Sequence, residues 1–149
     1  MCFVLYAGTD RPLPRRPFDK NAPDFSVSDL SERELPFLSH FTKPEVQYIG
    51  STSGCGCAFP YVTFEKGNWT WFEELQDDTQ RNAERYNQEA LVNLLRSSRE
   101  EAVELYGVWD GDFVRQPKAR EEISLERLLD PGFRFKELGF YIVRIGMHL

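Results

Sequence analysis

The chain has little cysteine, almost no histidine and no excess of positive charge, and each shortage removes a class of function. Three cysteines and two histidines among 149 residues fall short of the paired Cys-x-x-Cys knuckles of a zinc finger. An odd number of thiols also points to the reducing cytoplasm and away from a disulfide scaffold. The formal net charge of −6 leaves no broad positive surface to displace counterions, so nonspecific contact with nucleic acid or anionic lipid is not expected. No apolar run approaches the roughly 18 to 20 residues that cross a bilayer. The apolar stretch 2–7 has neither a basic region before it nor a small-residue cleavage site behind it, so it does not read as a signal peptide. Partners are expected among proteins or small molecules, with no membrane and no nucleic acid.

Familiar catalytic signatures are absent too. Neither His40 nor His148 sits in a His-Glu-x-x-His pattern, and no serine elbow accompanies them, so hydrolase and metalloprotease readings have nothing to rest on. The glycine-rich stretch at 50–59 lacks the Gly-Lys-Ser/Thr ending of a P-loop and the GxGxxG spacing of a dinucleotide site. Cys2 after the initiator invites an N-terminal-nucleophile reading, but it heads an apolar strand in a chain short for that fold.

Aromatic residues are abundant, at 14% with twelve Phe and six Tyr, so rings dominate the expected core. The run 2–7 suits a central strand covered on both faces. Arg11-Pro-Leu-Pro-Arg-Arg-Pro17 must be extended and reads as a stiff connector. Short strands are expected at 25–27, 45–49, 61–65 and 103–109. Ser31 with Glu34 forms a capping box for a short helix that Pro36 limits. From about 79 to 99 Ala83, Tyr86, Ala90, Leu91, Leu94 and Leu95 share one helical face. Ser124 caps a short helix to Leu129, and 133–137 with 140–145 reads as a hairpin around Leu138-Gly139. The expectation is one α+β domain over 1–149: a mixed β-sheet with one long helix packed across it and a C-terminal β-hairpin.

The chemistry-bearing stretch is Gly50-Ser-Thr-Ser-Gly-Cys-Gly-Cys-Ala-Phe59. Thiols at i and i+2 across a glycine can share a metal, cycle between dithiol and disulfide, or simply pack as small hydrophobes in a tight turn. Cys55 and Cys57, with Ser51 and Ser53 beside them, are the candidates for ligand binding or redox chemistry. Zinc needs four donors; Cys2 and His40, or His148, could complete a set with Cys55 and Cys57 if the first strand lies beside the second. The leading reading is a non-enzymatic binding or interaction domain with a structural cysteine loop. The alternative is a thiol-dependent protein that binds zinc or cycles through Cys55 and Cys57. Trp109-Asp-Gly-Asp112 offers two carboxylates to a divalent cation, though Asp-Gly is commoner in plain turns. Trp69, Trp71 and Phe72 could wall a ligand pocket. A long charged helix and a hairpin edge are each compatible with a homodimer.

Met1-Cys-Phe-Val-Leu-Tyr6, the proline-rich connector, Gly54-Cys-Gly-Cys-Ala-Phe59 and Glu104-Leu-Tyr-Gly-Val-Trp-Asp-Gly-Asp112 together resemble a group of small uncharacterised bacterial proteins. The likeness covers most of the chain, with GCGCxF its most specific part. It implies a bacterial cytosolic setting, and no activity, cofactor or catalytic residue.

Overall fold

Continuous apolar character places the first strand in the middle of the molecule. In the computed structural model, which describes residues 2–70 and 77–146, β1 (Phe3–Thr9) is buried along its whole length. Phe3, Leu5 and Ala7 enter one apolar cluster, while Val4 and Tyr6 enter another on the opposite face. A strand with no polar face needs cover on both sides. Here a long helix covers one side and an aromatic layer built on Phe37, Phe41, Tyr106 and Phe140 covers the other.

The remaining elements are β2 (Ser26–Asp29), β3 (Glu45–Gly50), β4 (Tyr61–Glu65), β5 (Asn68–Thr70), α1 (Asp78–Ser97), β6 (Ala102–Trp109), β7 (Ala119–Ser124), β8 (Phe135–Lys136) and β9 (Gly139–Arg144). Six strands form a sheet in the order β2-β3-β1-β6-β9-β7, and three form a smaller one in the order β5-β4-β8. β1 runs antiparallel to β3 and β6, whereas β7 runs parallel to β9, so the main sheet is mixed. This is the α+β arrangement expected from the sequence. The C-terminal strand–turn–strand hairpin is also present, turning at Glu137-Leu138. Its two arms bond outward: β8 pairs with β4, and β9 with β6 and β7.

Three local details differ from the sequence reading. Tyr86 is 52% exposed, its hydroxyl donating to Asp24 at 2.7 Å; Asn87 takes the inward position of α1 instead. The segment begun by Ser31 does not stop at Pro36 but continues as a 3-10 helix to His40, because Phe37 buries it against Tyr6 with ring centroids 4.2 Å apart. β7 has no counterpart among the expected strands, since Arg120, Glu121 and Glu122 give it a charged, loop-like composition. As an edge strand it carries Arg120 and Glu122 outward, while the half-buried Glu121 on its other face meets Lys136 at 2.9 Å. The proline-rich connector is docked, with Arg16 bridging Val27 and Leu13 buried. Among the described residues no helix is long and apolar enough to cross a membrane.

Candidate metal centre

β3 delivers the chain into the cysteine loop, and Ser51 organises the turn. The Ser51 N–H donates to Cys55 O at 2.7 Å, and Gly54 N–H returns to Ser51 O at 2.9 Å. Gly54 has φ +87°, a left-handed conformation that glycine adopts without steric cost. The buried Ser51 hydroxyl donates to Cys55 O and accepts from Ala58 N–H at 3.2 Å. Asn87 then fastens the loop to α1, accepting from Thr52 N–H at 3.0 Å and donating to Thr52 Oγ1 at 3.0 Å.

The loop is also tied to β1. Gly56 N–H donates to Phe3 O at 2.7 Å, an approach so close that a Cβ on Gly56 would lie 2.8 Å from that oxygen. Cys2 is held at the head of the same strand by a 2.8 Å hydrogen bond from Asp110 N–H to its carbonyl. The outcome is a triad: the Sγ atoms of Cys2, Cys55 and Cys57 all lie within 4.8 Å of one another, each residue partly buried. All three cysteines are free thiols. Among the described residues this is the one group of three or more His, Cys, Asp or Glu side chains with metal-ligand spacing.

The three sulfurs differ in acidity. Burial opposes ionisation of Cys55, but hydrogen bonds from the Ser53 hydroxyl, the Cys2 thiol and the Cys57 backbone and side chain outweigh it and lower its pKa. The Ser53 hydroxyl sits 3.5 Å from this sulfur. Cys2 is raised, first by its hydrogen bond to Cys55 and then by burial. Cys57 is pushed up to about 12 by burial and by its bond to Cys55. Cys55 is therefore the triad's first thiolate, with the other two thiols donating to it. Aromatic walls flank the group. Tyr61, hydrogen-bonded to Cys57 and raised to about 12 mainly by burial, stacks on Phe3 with centroids 4.6 Å apart and meets Trp109 edge-on at 6.0 Å. The Tyr48 hydroxyl donates to Gly54 O at 2.8 Å.

His40, a sequence candidate for a further ligand, does not belong to this cluster. Its ring is 5% exposed and packs edge-on against Phe37 and Tyr106, with Nε2 3.0 Å from Phe113 O. A carbonyl can only accept, so the proton is on Nε2, leaving Nδ1 buried without a partner. His148 lies outside the described residues, as do Trp71 and Phe72. The Asp110/Asp112 pair is engaged elsewhere: Asp110 meets Arg33 at 2.7 Å and Asp112 meets Arg115 at 3.3 Å. Trp69 is a packing residue whose Nε1 donates to Glu137 O at 2.9 Å.

Two contributors escaped the sequence. Asn87 had a signal, a polar residue within the buried stripe of an amphipathic helix; Tyr61 had none, since only the fold brings it to Cys57. A cluster of three thiols can hold a thiophilic metal ion, and hard cations such as magnesium or calcium would want oxygen ligands that it does not offer. No protein-family model, curated protein or solved structure matches the chain, so its own geometry carries the functional reading.

Proposed function

We propose that the protein is a zinc-binding protein whose metal is held by Cys2, Cys55 and Cys57. The observation that carries this reading is the convergence of three sulfurs, from two distant parts of the chain, to within 4.8 Å of one another. Tetrahedral zinc with bonds of about 2.3 Å sets its sulfurs about 3.8 Å apart, so the triad needs to contract by no more than about 1 Å. Cys55 supplies the first thiolate, and metal binding displaces the remaining protons. With three protein sulfurs the fourth position is open to water or an exchangeable ligand, as in reactive zinc sites. Free thiols of this kind suit the reducing cytoplasm suggested by the composition.

One observation favours a second reading. A thiol of lowered pKa beside two of raised pKa is also the asymmetry of a dithiol that opens and closes as a disulfide.

Cobalt substitution separates the two. The full chain, purified anaerobically with reductant, is titrated with Co(II) and then with Zn(II). The zinc reading expects one equivalent bound, sulfur-to-cobalt charge-transfer bands, and displacement by zinc. Cys2→Ser, Cys55→Ser and Cys57→Ser should each weaken binding by more than the roughly 100-fold typical of losing a supporting residue. Absence of stoichiometric uptake, together with a disulfide that forms and reduces reversibly, would replace zinc with the redox reading.

A further inference from the structure

Arg81, Arg85, Glu89, Val92 and Arg96 recur along α1 at intervals of three or four, which places them on one face. That face and the segment 129–134 enclose a cleft of 580 Å³, with Pro60, Leu129, Pro131 and Phe133 supplying apolar wall. Its volume is that of a small-molecule site. Its charge runs against that of the whole chain. Among the described residues four arginines line it against two glutamates, in a protein of net charge −6.

Among the described residues the ion pairs of this cleft are unequal. Glu84 and Arg134 form the inner pair at 3.7 Å, their side chains 8% and 16% exposed. Among the described residues Arg81 and Arg96 reach exposed carboxylates, Asp78 at 3.4 Å and Glu126 at 3.8 Å, contacts that solvent screens and that a stronger acceptor can displace. Arg85 has no ion-pair partner among the described residues. Arg81 and Arg85 are moreover like charges four residues apart, an arrangement that costs an isolated helix stability and that a bound anion offsets.

We propose that this cleft binds a small organic anion, its carboxylate or phosphate group held by Arg81 and Arg85 and its apolar body lying against Leu129, Pro131 and Phe133. Guanidinium groups suit either headgroup, through paired charge-assisted hydrogen bonds. The apolar wall excludes a bare inorganic ion as the best ligand, because it would leave that surface wet.

The test uses the full chain and the fluorescent anion 1-anilinonaphthalene-8-sulfonate, followed by competition with octanoate, octyl phosphate and octanol. The expected result is saturable one-site binding, displaced by octanoate or octyl phosphate and much less by octanol; the stronger competitor identifies the headgroup. The Arg81→Gln/Arg85→Gln double variant, folded by circular dichroism, should bind the dye about tenfold or more weakly. Leu129→Ser, at an exposed position, should weaken it less. Cys55→Ser should bind the dye as the parent does, so loss of the zinc reading leaves this one standing. Failure of the parent to bind saturably, unchanged binding by the double arginine variant, or equal displacement by octanol would each overturn the proposal.

Discussion

Glu104 is 4% exposed and sits on a sheet strand, yet its carboxylate is fully employed. It accepts from Thr42 N–H at 2.9 Å, Thr42 Oγ1 at 2.6 Å and Lys43 N–H at 3.0 Å. Removing it in Glu104→Ala strands three donors, and unfolding in urea should show a loss of about 3 kcal/mol. Glu137, 3% exposed, does similar work for Phe64 N–H at 2.8 Å but at a disadvantage: burial, the largest influence, raises its pKa. A carboxyl that is harder to ionise in the folded chain than in the unfolded one favours folding below its unfolded pKa. That contribution is lost as pH rises through the folded pKa. Glu137→Gln keeps an acceptor for Phe64 and carries no charge. Its melting temperature should therefore exceed the parent's at pH 7, with the difference fading as pH falls below the ordinary carboxyl range. At this scale the sequence was legible where partners are chain neighbours, as with Cys55, Cys57 and Ser53. Cys2 was legible only on the condition that its strand lay beside the second, and His40 was misleading, because residue type does not separate a metal ligand from a ring packed into an aromatic layer, as His40 is against Phe37 and Tyr106.

The cysteine loop depends on a backbone contact as much as on its sulfurs. A side chain at position 56 would press on the Phe3 carbonyl, a backbone atom that cannot swing away. Gly56→Ala should therefore break the hydrogen bond to β1 and draw Cys55 and Cys57 away from Cys2. Cobalt titration is expected to show weakened metal binding with all three ligands still present, a result that a purely chemical view of the motif would not produce. Elements with a strong local signature, β1 as a continuous apolar run, β6 as a strand running into the Asp110-Gly-Asp112 turn, and α1 by its period, were readable in advance. β7 and β5 were not, because an edge strand with one solvated face can be built from charged residues and a three-residue strand has too few positions to show a period. The inward face of α1 was read as it stands at Leu91, Leu94 and Leu95; only Tyr86 was misplaced, its side chain turned out to Asp24 while Asn87 turns in to Thr52.

Across the molecule, zinc at the triad would join the head of β1 to the loop between β3 and β4 and act on the stability of the whole sheet. A ligand that binds only the folded state at 1,000 times its Kd adds about 4 kcal/mol, which for a chain of this size corresponds to roughly 10 °C in Tm. Zinc-loaded protein treated with a strong chelator should lose that increment, while Cys55→Ser should melt at the same temperature with and without chelator. A melting temperature indifferent to chelator in both proteins would mean that the metal contributes nothing to folding. The main sheet also fixes an order of events. Phe3 pairs with Trp109 on one side and Leu5 with Ile49 on the other, so β1 leaves the ribosome long before its second neighbour exists. Until roughly a hundred further residues have been made, a largely apolar strand must wait with one edge open, and its closure is a long-range, entropically slow contact. Yield on expression should therefore be governed by chaperone capacity and temperature more than by the stability of the finished fold.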